Sequence, residues 1–287
     1  MTSVIIPAHN EERVLRRALD RLLADAEPGE FQVIVVPNGC TDATAEVARS
    51  VPGVTVLELP GSSKTAALNA GESLAAGFPR IYLDADIPLS TAGLRALAAA
   101  VGRPGPNGTE VLAAAPRRVV DTTARPLLVR AYYAINRRLP AYRGALFGRG
   151  AVALSATARA RFDHFPESFA DDLYLDSIFR PEEKVEVSTA QVVTEPPTRT
   201  RDLVRRLSRV RAANAALRAV EQRVPGSRRG SWLVDVVLPR PWLLPAGACY
   251  LAITLTAEVL ARRAGSRNIW SYGRDESSRA AAGGAGR

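Results

Sequence analysis

Over the first hundred positions, short runs of β-branched and other apolar residues alternate with longer segments whose apolar residues recur at helical spacing. Val4–Ile6, Phe31–Val36, Val54–Leu57 and Ile81–Leu83 predict strands. Helices are predicted from about Glu11 to Ala24, Asp42 to Arg49 and Thr65 to Ala75. This alternation predicts a parallel, doubly wound α/β sheet, a fold class whose ligands gather beyond the carboxyl ends of the strands. Polar clusters mark those ends: Pro7-Ala8-His9-Asn10-Glu11-Glu12 after the first, Pro37-Asn38-Gly39-Cys40-Thr41-Asp42 after the second and Asp84-Ala85-Asp86 after the fourth. Between the third and fourth, Gly61-Ser62-Ser63-Lys64-Thr65 opens a helix whose free N–H groups and Lys64 charge suit a phosphate.

Beyond Asp86 the pattern loosens. Residues 103–108 read as a turn-rich loop, Val111–Ala115 as a strand, about Arg125 to Leu139 as a helix and Lys184–Ser188 as an edge strand. The glycines of Tyr142–Gly150 suit a backbone that passes close to a ligand. Leu203, Leu207, Val210, Asn214, Leu217, Glu221 and Val224 recur every three or four residues, predicting an Arg-rich amphipathic helix. Two apolar pieces follow, Trp232–Leu238 and Trp242–Ala261, split by prolines. The stretch from Pro241 to Ala257 is uncharged, at the short limit for crossing a hydrocarbon core of about 30 Å. Helices docked on the domain or lying in a membrane interface, with Arg228, Arg229, Arg240, Arg262 and Arg263 toward anionic headgroups, fit better than a span; a buried helix fits as well. The tail from Ser271 is expected to be disordered.

The 287 residues suffice for a sizeable core, and the net charge of +9 implies anionic partners: phosphate groups, a membrane surface or nucleic acid. Nearly all the basic residues are Arg; Lys occurs only at 64 and 184. Cys40 and Cys249 form neither a disulfide framework nor a zinc spacing, and the N-terminus enters a strand at once, so a cytoplasmic location is expected. No glycine-rich dinucleotide fingerprint or phosphate-loop consensus follows the first strand, which argues against a dehydrogenase or an NTPase.

Two carboxylate groups carry the candidate chemistry. In an extended chain Asp84 and Asp86 would point to one side, and their oxygens suit a hard cation, Mg²⁺ or Mn²⁺. Asp171 and Asp172 open a helix, where acidic residues are stabilising in any case, and Ser168 with Asp171 matches a capping box.

Four segments in this order, Val4-Ile5-Ile6-Pro7-Ala8-His9-Asn10-Glu11-Glu12, Val35-Val36-Pro37-Asn38-Gly39-Cys40-Thr41-Asp42, Lys64-Thr65-Ala66-Ala67-Leu68-Asn69-Ala70-Gly71 and Leu83-Asp84-Ala85-Asp86, resemble the successive motifs of family-2 glycosyltransferases with the GT-A fold. The resemblance covers roughly the first two hundred residues. It implies a GT-A domain over 1–198, with a donor half at about 1–100 and an acceptor half at 101–198. An Arg-rich helix over 199–230, apolar helices over 231–264 and a tail over 265–287 complete the division. It also implies inverting transfer from a nucleoside-diphosphate sugar, a UDP-sugar first, to an unidentified acceptor that could be lipid-linked. Pro7, Ala8, Asn10 and Glu11 would then line the nucleotide, Asn38 the base, and Lys64 and Asn69 the donor. Asp84 and Asp86 would hold the metal, Asp86 more directly. Asp172 would be the base and Asp171, standing where the family has Glu, its orienting partner. Arg209 matches the Arg of an Arg-Trp motif near the diphosphate, with Val210 in place of Trp, which favours transfer of a single sugar over processive polymerisation.

A different reading is a non-catalytic nucleotide-sugar-binding module at the membrane surface; the second carboxylate pair, for which a pure binder has no use, counts against it. Nucleic-acid binding through the basic helix is disfavoured, because few aromatics interleave with its Arg residues and no recognition motif accompanies them.

Overall fold

The computed structural model describes residues 1–105, 107–167, 170–220, 224, 228 and 230–264. In chain order the first elements are β1 (Thr2–Ala8), α1 (Glu12–Leu23), β2 (Phe31–Pro37), α2 (Thr44–Arg49), β3 (Val54–Val56), α3 (Lys64–Leu74), β4 (Arg80–Leu83) and α4 (Thr91–Ala100). They are followed by β5 (Ala113–Val120), α5 (Leu127–Asn136), β6 (Ala151–Leu154), α6 (Ala156–Arg159), α7 (Asp171–Ile178), β7 (Lys184–Thr194), α8 (Thr200–Val220) and α9 (Leu244–Ala264). Contacts divide the chain into two units, Met1–Arg118 with Gly144–Val192, and Val119–Arg143 with Val193–Arg287. Residues 101–198 contribute to both.

The sheet has the order β3-β2-β1-β4-β6-β5-β7. From β3 to β4 all pairs are parallel, as the strand–helix alternation predicts, whereas β6 runs antiparallel to both β4 and β5. All seven residues of β1 are buried, which is why it reads as a continuous apolar run rather than an alternating one. Alternation reappears in what each residue touches: Val4, Ile6, Val33 and Val35 pack in one layer with α1 and α4, and Ile5, Ile34 and Val36 in the other with α3 and Leu175 of α7. In α1 the buried residues are Leu15, Ala18, Leu19 and Leu22, one face at helical spacing.

Three expectations for the sheet need correction. The strand expected at Val111–Ala115 begins at Ala113 and runs to Val120, because the Val111 and Leu112 N–H groups bond to the carbonyls of Arg103 and Glu183. Nor is Asp84-Ala85-Asp86 extended. β4 ends at Leu83, Asp84 N donates to Gly150 O at 2.9 Å, and Ile87 N donates to Asp84 O at 3.1 Å, closing a turn. The edge strand β7 starts at Lys184 as expected but continues to Thr194.

In the second unit α9 packs against α5 and α8 around Val129, Tyr132, Leu203, Val237, Tyr250 and Ile253. Tyr132 stacks on Tyr250 at 5.1 Å between ring centroids. Trp232–Val237 forms a π-helical segment, and a 3₁₀ turn at Pro241–Leu243 leads into α9. The helix expected from Leu203 to Val224 overlaps α8, which ends at Val220, and its stripe does not pack throughout: Leu203 and Leu217 are buried, whereas Val210 is exposed and Ala213 takes a buried position instead. Glu221, Arg229, Ser168 of the expected capping box and the tail from Ser271 lie outside the described residues.

Candidate active site

The first two strand-end loops are stitched together. Asn10, at φ +52°, accepts from Thr41 N at 2.8 Å, and Glu11 N donates to Thr44 Oγ1 at 2.7 Å. Glu12 N donates to Asp42 Oδ2 at 3.2 Å while Ala43 N returns a bond to Glu12 Oε2 at 3.1 Å. Gly39 has φ +56°, and a Cβ there would lie 2.7 Å from Ser62 N, so only glycine lets the loop before α3 come this close. Asn38 is buried, and its amide donates to the carbonyls of Ala8 and Val36 at 2.9 and 3.2 Å.

Ser63 caps α3, its hydroxyl accepting from Ala66 N, so Lys64 starts the helix. Its Nζ lies 2.7 Å from Asp84 Oδ1 at the end of β4 and 2.9 Å from Asp171 Oδ1 at the start of α7. These residues share a small pocket with Pro7, Leu68, Tyr82, Gly150, Asp172 and Leu175. Three elements far apart in sequence therefore place one ammonium and three carboxylates around one opening. Burial would strip the Lys64 proton, but Asp171, Asp84 and Asp172 outweigh it and hold the ammonium firmly charged. Burial pushes the Asp171 carboxyl up, opposed by Lys64. Asp172 is pushed up to about 6, first by burial and then by the charge of Asp171, with Lys64 and the Gly148 N–H pulling the other way.

The loop before β6 is fastened to α7. Gly148 N donates to Asp172 Oδ2 at 2.6 Å, and Leu146 N donates to Asp176 Oδ1 at 2.8 Å. Asp172 and Asp176 are four residues apart and share a helix face. Lys184 Nζ completes the arrangement, 2.9 Å from Asp176 Oδ1. Gly150, at φ +72°, ends this loop beside the Asp84 turn, where a Cβ would collide with Ile87 at 2.5 Å. The close approach expected of these glycines is, at Gly150, to the protein's own turn.

Of the residues singled out in the sequence, Pro7, Lys64, Asp84, Asp171 and Asp172 line the pocket. Ala8, Asn10, Glu11 and Asn38 occupy the ends of β1 and β2 and the loop between β1 and α1, and Asp86 is exposed just past Asp84. Asn69 is engaged elsewhere: its amide brackets the Phe165 backbone, donating to O at 3.0 Å and accepting from N at 2.8 Å. Arg209 lies on α8, in the second unit. Sequence reasoning missed Tyr82, Asp176 and the Gly148 N–H. The spacing of Asp176 from Asp172 was a readable signal for the second, and the glycines of Tyr142–Gly150 were one for the third; nothing marked the first.

Against this geometry, comparison with known proteins is informative. The sequence profile of glycosyl transferase family 2 matches residues 3–148, just over half of the chain. The chain belongs to that family. It is a glycosyltransferase with the GT-A fold. A mannosyltransferase from Pyrobaculum calidifontis, solved with GDP-Man and Mn²⁺, is similar at 20% identity and a TM-score of 0.60, covering 94% of this chain and 81% of the other. Glucosyl-3-phosphoglycerate synthase from Mycobacterium tuberculosis, solved with Mn²⁺, UDP and glucosyl-3-phosphoglycerate, is similar at 21% identity and a TM-score of 0.53, covering 79% and 81%. No curated protein sequence matches the transferase.

Proposed function

We propose that this transferase moves a single sugar, with inversion, from a nucleoside-diphosphate sugar to an acceptor hydroxyl. The observation that carries the reading is the convergence of Lys64, Asp84, Asp171 and Asp172 from α3, β4 and α7 on one pocket. Asp172 accepts the acceptor's proton as the hydroxyl oxygen bonds to the anomeric carbon. The bond from that carbon to the diphosphate oxygen breaks on the opposite face, and the diphosphate leaves with the electron pair. Asp171 pins Lys64, and Lys64 offers its ammonium to the departing phosphate oxygens. The Gly148 N–H holds the Asp172 carboxylate in place.

Asp84 and Asp86 are the residues that would hold Mg²⁺ or Mn²⁺. Their donor set is hard oxygen, and Asp84 already attracts a cationic group, Lys64. Among the described residues no cluster of three or more His, Cys, Asp or Glu could hold a metal ion, and Mg²⁺ is commonly bound by one or two carboxylates together with substrate phosphates. When bound, the cation supplies charge neutralisation to the leaving diphosphate. Both similar structures carry Mn²⁺ with a nucleotide, which supports this reading.

A UDP-sugar is favoured as donor. Both Asn38 amide hydrogens are committed to carbonyls, so toward a base the side chain offers only its oxygen, an acceptor for an imide N–H such as that of uracil. Guanine also carries such a group, and GDP is the competitor to test. Val210 beside Arg209 supports a single transfer. The free thiols Cys40 and Cys249 fit a reducing, cytoplasmic setting.

Calorimetric titration with UDP, GDP and dTDP, each with Mn²⁺ and with chelator, tests the donor assignment. Metal-dependent binding of one nucleotide is expected, weakened about a hundredfold by Asp86→Ala. Folded protein that binds none of the three removes the mechanism, and unchanged affinity in Asp86→Ala removes the metal assignment.

A further inference from the structure

The outward face of α9 is mostly apolar as far as Leu260. Leu244, Leu251, Leu255, Val259 and Leu260 are all more than a third exposed, and Trp242, immediately before the helix, is 73% exposed. Helix α9 would extend about 31 Å at 1.5 Å per residue. Pro241–Arg263 is the one helix among the described residues long and apolar enough to cross a membrane. The opposite face is packed, with Tyr250, Ile253 and Ala257 buried against the unit's own core.

Charge is arranged around this face. Glu258, the only carboxylate of α9, lies beside the stripe and is neutralised by ion pairs to Arg211 of α8 at 3.1 Å and to Arg262 at 3.0 Å. Arg240 precedes the stripe, and exposed Arg262 and Arg263 close it. Crossing a bilayer is inconsistent with the packing. The α8 helix lies against α9 and carries Arg201, Arg205, Arg206, Arg209, Arg211 and Arg218, which would have to enter the hydrocarbon with it.

We propose that α9 and the Trp242 turn lie flat in the headgroup region of an anionic lipid bilayer, with Leu244, Leu251, Leu255 and Val259 toward the acyl chains and Arg240, Arg262 and Arg263 on the phosphates. One face of α9 stays docked on α5 and α8, so the protein is held at the surface and does not span it. A helix in this position buries its apolar side a few ångströms below the headgroups, and flanking Arg side chains reach back to the phosphates. The net charge of +9 favours a negatively charged surface over a neutral one.

Flotation of the full chain with vesicles tests this. Vesicles containing about a third phosphatidylglycerol should carry the protein, with at least tenfold tighter binding than pure phosphatidylcholine, and raised salt should weaken it. Leu251→Asn with Leu255→Asn should reduce partitioning at least tenfold with an unchanged melting temperature. Trp242 emission should shift to the blue on vesicle addition, and the shift should fall in Trp242→Phe. Four results would overturn the proposal: no flotation with either vesicle, undiminished binding of a folded double variant, resistance to alkaline extraction as for a spanning helix, or a vesicle-independent dimer that the double variant abolishes. None of these readouts depends on sugar transfer, so the proposal stands or falls separately from the catalytic one.

Discussion

The two units use polar and apolar residues in opposite ways. In Met1–Arg118 with Gly144–Val192, large apolar side chains are mostly inside, and among the described residues the exposed exceptions are Met1, Leu74 and Phe78, none of which lines the pocket. The strand ends there are polar, and charges drawn inward form ion pairs, Lys64 with Asp84 and Asp171, and Glu183 with Arg161 and Arg180. In the second unit Asp202 is buried and Glu258 is turned toward Arg211, while leucines and a tryptophan face outward. One chain thus carries a unit whose surface suits water and whose pocket serves chemistry, and another that also presents an apolar stripe on its surface. An exposed leucine says little alone; a stripe of them is informative.

The largest expected effect lies in the pocket. Asp172→Asn keeps an oxygen to accept from Gly148 N or Leu173 N, so the fold should persist and nucleotide binding should change little. Transfer should fall by about a thousandfold, the scale of a lost general base. A variant turning over at the wild-type rate would remove Asp172 from the mechanism and with it the chemical half of the contrast.

Next is a buried ion pair in the same unit. Glu183 accepts from both terminal nitrogens of the Arg161 guanidinium, at 2.9 and 2.8 Å, and from Arg180 N. These bonds, Arg161 first, hold its carboxyl down to about 2. A carboxyl lowered on folding stabilises fully above its unfolded value of 4.5, and that contribution is lost as pH falls from there toward about 2. Glu183→Ala should cost about 2 kcal/mol by chemical denaturation at neutral pH and flatten the acid limb below pH 4.5. An unchanged acid limb would assign that limb to other carboxylates.

The raised carboxyl of Asp172 predicts a smaller effect of the other sign. A base must be ionised, so kcat/KM should fall about tenfold per pH unit below about 6 and level off above it. A profile still flat at pH 5 would mean that burial and Asp171 do not raise the group in the working enzyme.

The smallest effect sharpens the second unit. Leu255→Gln should alter stability in water by no more than about 0.5 kcal/mol, because the side chain is 54% exposed. A loss above 1 kcal/mol, measured by thermal or urea unfolding, would show that the stripe is packed in solution and would erase the contrast.

Much of the first unit was legible along the chain. Buried parallel strands impose continuous apolar runs, the helices that cover them impose three-to-four spacing, and strand ends must be polar where they meet solvent. Hence β1, β2, β4, α1 and α3 fall within a few residues of expectation, and Asp84, Lys64 and Asp172 stood out as candidates. Val111 and Leu112 show the limit. They have strand-like side chains and are buried, yet their N–H groups bond outside the ladder. Asn69 shows another: an amide on a motif helix looks the same in sequence whether it meets a ligand or the Phe165 backbone.

What the sequence determined by itself was the alternation of elements, the polar strand ends and the uncharged run from Pro241 to Ala257, because each is written in local periodicity. Only the tertiary structure decided that Asp84-Ala85-Asp86 is a turn bonded to Gly150, that Lys64 sits between Asp84 and Asp171, and that Glu258 pairs with Arg211 of α8. Those outcomes depend on distant segments meeting. A side chain's local pattern states which groups it can bond, but the partner brought beside it by the fold decides which bond is made.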